Sequence, residues 1–245
     1  RLQENDRFEI TRETIDNFLE DCAEMGVKAI SLVSDGESSI HPDYVHTIVK
    51  GSELGISMAV ATHGWNTRGK DLEKILPHLT YLRVNFSAGE PKRYSEIMGV
   101  KESYFDQVCD NIEEMMSIKK RLNLDVTIGM QMVLMPQDAD QIIPLAKLGK
   151  RIRPDYVVIK HTSDSEEGDL GVDYSKYAEL DGLLQEAESY SDEEYQVVVK
   201  WSKIKAEGKR SYQRCYGPPF QIQMSGSGLV APCGMLFNEK YKKFH

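Results

Sequence analysis

ISMAVATHGWNTRGKDLEKILPHLTYLRVNFSAG, residues 56–89, is the stretch that decides the fold. Ile56 to Ala61 is a β-rich run, and Thr62-His63-Gly64 ends it. Lys70 to Leu79 carries helical spacing, and Tyr81 to Phe86 is a second β-rich run closed by Ser87-Ala88-Gly89-Glu90. Strand, helix and strand in such short order make a crossover unit, which places the two strands parallel and the connection right-handed. Several of the chain's β-rich runs are apolar on both faces, as expected for a buried parallel sheet.

The alternation repeats in both directions. Upstream, Thr11 to Met25 reads as a helix, Val27 to Val33 as a strand ending in Ser34-Asp35-Gly36-Glu37, and His41 to Leu54 as a helix with Pro42 near its first turn. Downstream come a helix at Tyr104 to Leu122, a strand at Leu124 to Leu134, a helix at Ala139 to Arg151, a strand at Tyr156 to Lys160 and a helix at Tyr174 to Ser189. That makes five strand–helix units behind a lone leading helix, hence an α/β chain with a parallel sheet. Periodicity alone does not separate a closed barrel from an open sheet. After about residue 195 the character changes. Tyr195 to Trp201 alternates like a strand, a basic stretch follows, and Phe220 to Met224, Ser225-Gly226-Ser227-Gly228 and Leu229 to Cys233 read as a β-hairpin. The expected division is therefore 1–195 and 196–245.

Composition bounds the function. The 245 residues carry 30 basic and 39 acidic side chains, a net charge of −9, which argues against a nucleic-acid binder because phosphate contacts need a basic face. Acid and base are segregated: twelve Asp or Glu against Lys176 lie between His161 and Tyr195, and six Lys or Arg against Glu207 lie between Lys200 and Arg214. No uncharged apolar run approaches the 18 or so residues of a membrane span. Walker A and Gly-x-Gly-x-x-Gly loops are missing from the sequence.

Ligands of parallel α/β folds bind at the carboxyl ends of the strands. Those positions hold Ser34, Asp35, Gly36 and Glu37, then Thr62 and His63, then Asn85 and Ser87, then Gln131, and finally Lys160 and His161. The Ser-Asp-Gly-Glu loop suits a ligand ammonium or hydroxyl rather than phosphate, since an anion would meet two carboxylates. Of the four cysteines, Cys22 and Cys109 lie on apolar helix stripes and read as core residues. Cys215 and Cys233 flank the hairpin among glycines and prolines and read as half of a metal site, or as a disulfide. The low cysteine count fits a reducing compartment.

The chain resembles the radical S-adenosylmethionine (radical SAM) enzymes with a C-terminal SPASM or twitch extension. Ser34-Asp35-Gly36-Glu37-Ser38 and Ile40-His41-Pro42 resemble the family's Gly-Gly-Glu-Pro stretch and the Leu-His-Pro after it. Val60-Ala61-Thr62-His63-Gly64 resembles its next strand, which usually ends Thr-Asn-Gly. Leu82-Arg83-Val84-Asn85-Phe86-Ser87-Ala88-Gly89, with Pro91, Tyr94 and Ile97, resembles its Arg-Ile-Ser-Leu-Asp-Ala-Gly strand. Cys215, Gly228 and Cys233 match a SPASM opening of Cys-x12-Gly-x4-Cys.

The resemblance implies a partial (β/α)6 TIM-like barrel, its first strand missing, followed by the start of a Cys-containing SPASM/twitch extension. It implies S-adenosylmethionine at the strand ends, with its amine held by Asp35, Glu37 and nearby carbonyls. Thr62 and His63 join the cofactor set, Asn85 or Ser87 meets ribose or substrate, and Gln131 lies near carboxylate or ribose. Lys160 and His161 face the substrate. The Cys-x3-Cys-x-x-Cys that holds the redox [4Fe-4S] cluster is expected upstream of Arg1, the chain being read as a fragment, and Cys215 and Cys233 as ligands of an auxiliary iron–sulfur cluster. The implied activity is reductive cleavage of S-adenosylmethionine to a 5′-deoxyadenosyl radical, which takes hydrogen from a peptide or small-molecule substrate. The implied setting is cytoplasmic, with flavodoxin or ferredoxin as electron donor. Two other readings are an aldolase using Lys160 as a Schiff-base nucleophile and an inactive barrel kept as a peptide-binding module.

Overall fold

The structure, a computed structural model, describes residues 9–33, 36–164, 167–210, 212–237 and 239–244. Ser34 and Asp35, two of the expected cofactor contacts, lie outside the described residues.

Six parallel strands form one sheet in sequence order: β1 (Ala29–Leu32), β2 (Ser57–Thr62), β3 (Leu79–Asn85), β4 (Thr127–Leu134), β5 (Tyr156–His161) and β6 (Gln196–Val199). The crossovers carry α2 (Tyr44–Glu53), α3 (Lys70–Ile75), α4 (Pro91–Met98), α5 (Ser103–Leu122), α6 (Ile142–Ile152) and α7 (Asp181–Glu188), with α1 (Arg12–Glu24) ahead of β1 and a short α8 (Trp201–Ile204) after β6. This is a partial (β/α) barrel; the alternation predicts the parallel sheet, and the resemblance implies the barrel. The sixth strand lies beyond residue 195 and pairs with β5 from Tyr156↔Gln196 to Ile159↔Val199, so the run at 196–199 belongs to the barrel sheet.

Local signals account for the helices. Thr11 caps α1 by accepting from the Thr14 amide, and Ile15, Leu19 and Cys22 bury its inner stripe. Pro91 sits in the first turn of α4, which the periodicity does not single out because only Tyr94 of its eight residues is buried. Lys119, Lys120 and Arg121 lie against the carboxyl end of α5, where the helix dipole favours positive charge. Three expected helices begin or end as 3-10 turns, the one at Ala139 opening through the 3-10 stretch Pro136–Gln141. Pro77 falls in the turn Leu76–His78 after α3, where it has no amide to continue the α pattern. Tyr174–Leu180 is 3-10, and its three-residue repeat sets Tyr174 and Tyr177 over one another, with ring centroids 6.2 Å apart.

The core lies between sheet and helices. Met58, Val60, Leu82, Val84, Ile128, Met130, Val157 and Ile159 face outward under the helices and are fully buried, and Cys22 and Cys109 belong to the same core, as expected. Burial pushes the Cys109 thiol up to about 12, which keeps it an inert hydrophobe. The alternate side chains point to the concave face, where Ser31 and Tyr81 meet hydroxyl to hydroxyl at 3.0 Å.

The hairpin expected near the carboxyl end is β7 (Gln223–Met224) paired antiparallel with β8 (Val230–Ala231). Gly228, at φ +82°, supplies the left-handed residue of the turn. No helix among the described residues is long and apolar enough to cross a membrane.

Candidate functional site

The polar residues at the strand ends fall into three groups. At the ends of β1 and β2, Glu37 lies at the centre. Its Oε1 accepts from the Thr62 hydroxyl (2.6 Å), the Ser39 hydroxyl (2.6 Å) and the Ser39 amide (3.2 Å), and its Oε2 accepts from the His63 amide (2.8 Å). The His63 ring closes the set. Its Nδ1 accepts from the Trp65 amide, which puts the proton of the neutral ring on Nε2, 3.4 Å from Glu37 Oε2. Burial opposes ionisation of Glu37, but the donors on Ser39, Thr62 and His63 outweigh it and hold the carboxyl below the ordinary glutamate value. Glu37 is thus a carboxylate saturated largely by protein, binding the β1 loop to the β2 loop. Asn111 of α5 steadies the same turn by donating to the Gly64 and Trp65 carbonyls.

The second group sits at β3, β4 and β5 just past the strand ends. Ser87 is buried, and its hydroxyl accepts from the Val133 amide at 3.3 Å. It opens onto a 480 Å³ cleft whose walls include Ile97, Met98, Met135 and Leu170, with Thr162 and Asp138 as polar neighbours. That size and mixture suit a small organic ligand. Asp138 was not foreseen from the sequence. Burial raises its carboxyl above the ordinary aspartate value, although Arg93, 3.0 Å away, pulls it back. Arg93 is itself shared with Glu96 and Asp140. Beneath the cleft, the buried Gln141 accepts from the Gly89 amide and donates to Glu90 and Asp140, tying the β3 loop to the start of α6.

The third group lies on the concave face. Asn85 and Gln131 are register partners on β3 and β4, and the Gln131 amide donates to Asn85 Oδ1 at 3.0 Å. Gln131 and Lys160 line a 390 Å³ cavity together with Arg83, Tyr156, Val158, Val198, Lys200 and Lys203. Desolvation, with repulsion from Arg83 and Lys203, lowers the Lys160 pKa from the ordinary lysine value. The Lys160 amine is therefore expected to titrate below free lysine, and Arg83→Gln to move it part of the way back up. NMR of the ¹³C-methylated lysine across pH checks both. An unchanged midpoint in the variant would show that burial alone sets it.

His161 does not share that face. One residue along β5, it points to the opposite side, where it is buried against Tyr174 and Tyr177 with ring centroids 5.4 and 5.7 Å away. Its Nδ1 donates to the Thr162 carbonyl at 2.6 Å. Strand alternation therefore sets Lys160 and His161, both expected to face a substrate, on opposite faces of the sheet. Gly36 stands at the start of the Glu37 loop. Cys215 is exposed and Cys233 half-buried, both free thiols, and Cys215 Sγ accepts weakly from the Gly217 amide.

Among the described residues no group of three or more His, Cys, Asp or Glu could hold a metal ion. These residues therefore fit neither a redox nor an auxiliary cluster on their own. The 480 Å³ cleft, with apolar walls for an aromatic base and the Ser87, Thr162 and Asp138 side chains for hydroxyls and an amine, does fit a molecule of the size and mixed polarity of S-adenosylmethionine.

No protein-family model matches the sequence, and no curated protein matches it. Solved structures do. The Streptococcus suis SuiB structure bound to S-adenosylmethionine superposes with a TM-score of 0.73 at 16% identity, over 97% of this chain and 56% of that one. SuiB bound to its precursor peptide SuiA gives 0.72 at 16% identity over 96% and 55%. Native anSMEcpe with bound AdoMet gives 0.62 at 13% identity over 96% and 73%, and TYW1 with a lysine–pyruvate adduct gives 0.52 at 17% over 73% and 59%. The chain spans just over half the length of SuiB. It has the partial TIM-like barrel fold of the radical SAM enzymes.

Proposed function

We propose that this chain is the barrel part of a radical SAM enzyme. One observation carries the reading: almost the whole chain superposes on a barrel solved with S-adenosylmethionine bound, and its own strand-end cleft has the size and lining for that molecule. Bound S-adenosylmethionine, when reduced, supplies a radical able to abstract hydrogen. The chain's residues do the rest. Ser87, Thr162 and Asp138 would orient the cofactor's polar groups, while Ile97, Met98, Met135 and Leu170 would give its base an apolar wall. Glu37, Thr62 and His63 hold the neighbouring loop in shape. The cavity on the concave face, with Gln131 and Lys160, receives the substrate, a peptide or a small molecule. The iron–sulfur clusters, the auxiliary ligands Cys215 and Cys233 and an electron donor such as flavodoxin or ferredoxin belong to the same proposal.

Calorimetry with S-adenosylmethionine tests it. Binding in the micromolar range is expected, and Ser87→Val, which fills the cleft mouth and removes a hydroxyl, should weaken it by about tenfold or more. No binding, or equal binding by the variant, would remove the support the cleft gives. After anaerobic reconstitution with iron and sulfide, this 245-residue chain is expected to bind the cofactor without cleaving it, since the described residues offer no cluster ligand set. Release of 5′-deoxyadenosine would overturn that expectation.

A second reading draws on Lys160, whose pKa lies below the ordinary lysine value, which increases its share of free, nucleophilic amine. The adduct in TYW1 is a lysine–pyruvate one. Borohydride trapping with pyruvate, followed by peptide mapping, would label Lys160 if the amine condenses with carbonyl compounds. An unlabelled chain would leave the cofactor reading alone.

A further inference from the structure

The concave cavity carries more positive charge than the fold needs. Arg83 from β3, Lys160 from β5 and Lys200 and Lys203 from the segment after β6 line the same 390 Å³ space, and its lining contains no carboxylate. Among the described residues none of these four cations has an ion pair, whereas elsewhere Arg93 takes three carboxylates and Arg153 takes two. The Nε of Arg83 is buried without a hydrogen-bond partner. In a chain with nine more acids than bases, four unmatched cations around one cavity are not a product of composition. Arg83 and Lys160 are half-buried while Lys200 and Lys203 are exposed; like charges brought together repel, and an anion relieves that repulsion on entering. The remaining lining suits the same guest. The Gln131 amide and the Tyr156 phenol offer neutral hydrogen bonds, Val158 and Val198 form apolar wall, and Arg83 can present two parallel donors to one oxyanion.

We propose that this cavity is an oxyanion-binding site that seats a carboxylate or phosphate group of the substrate. The assignment to substrate rests on the reading above, and the binding site does not. Its position also separates it from the cleft at Ser87, because the two share no lining residue.

Calorimetric titration of the purified chain with inorganic phosphate and, separately, with malonate tests it, at ionic strength held constant with sodium chloride. Saturable binding of one or both is expected, and which anion binds tells phosphate from carboxylate. Arg83→Gln and Lys160→Gln should each weaken binding by about tenfold, while Lys209→Gln, an exposed lysine outside the lining, should leave it unchanged. Circular dichroism of each variant confirms that the fold is kept. Absence of binding to both anions, or equal loss in Lys209→Gln, overturns the site. The titrations are repeated with saturating S-adenosylmethionine. Unchanged anion affinity supports a substrate site, whereas competition would make the cofactor's own carboxylate the occupant and overturn the substrate assignment. If the anions bind and S-adenosylmethionine does not, the site stands and the reading of the protein as a radical SAM enzyme falls.

Discussion

Gly89→Ala should cost about 3 kcal/mol or more of folding stability, read from urea denaturation. A Cβ at this position would stand 2.1 Å from the Pro144 carbonyl carbon, 2.3 Å from the Leu145 nitrogen and 2.4 Å from the Pro144 oxygen. All three are backbone atoms at the start of α6, so no side chain can swing aside. The loop after β3 must instead lift away from the helix. That movement stretches the Gly89 amide's bond to Gln141 and displaces Ser87 from the Val133 amide. Weaker binding in the cleft should therefore accompany the stability loss. Gly182→Ala is the control. Nothing lies within 4 Å of a Cβ there, the residue is inside α7, and the substitution should stabilise by about 0.5–1 kcal/mol. Equal stability of the two variants would show that α6 yields more easily than its packing suggests.

Glu37→Gln is the second large effect, about 2–4 kcal/mol of destabilisation. The amide keeps the shape but turns one oxygen into a donor. It would then face at least one of the Thr62, Ser39 and His63 donors that the carboxylate now satisfies. The pH dependence follows from the direction of the shift. The folded carboxyl has a pKa below its unfolded value, so its contribution is fully present above the unfolded glutamate pKa of about 4.3 and is lost as pH falls through the lower folded value. Below that window the wild type and Glu37→Gln should converge in stability. Parallel acid limbs with a constant gap would mean that Glu37 is not the titrating group. Cofactor affinity should fall in the same variant, because the loop that Glu37 shapes flanks the strand ends.

The sheet was legible because its signals are local. Each strand is a short apolar run bounded by its own turn residues, and the core cysteines sit on visible stripes. The hairpin too announced itself, through Ser225 to Gly228. Less legible was anything made by distant residues meeting. Arg83, Lys160, Lys200 and Lys203 are up to 120 positions apart, and only strand register puts them around one cavity. Alternation along β3 and β5 was the available signal, since Arg83, Asn85 and Lys160 all have concave parity. The same parity would have separated His161 from Lys160. The polar loop and its resemblance mark Glu37 as a contact for a ligand amine, but sequence does not show what else the carboxylate touches. Ser39 of its own loop supplies two of its hydrogen bonds, while those from Thr62 and His63 at the next strand end cannot be counted until the loops are placed.

The opposed facing of Lys160 and His161 has a consequence for how this barrel can change over evolutionary time. Losing or gaining one residue within β5 would carry every later side chain across the sheet, sending the imidazole into the cavity and the amine under the helices. Point substitutions leave that assignment alone. Length variation should therefore be purged from the interior of β5 and collect in the connections, so that a library of single-codon deletions would find the strand intolerant even where each side chain tolerates replacement.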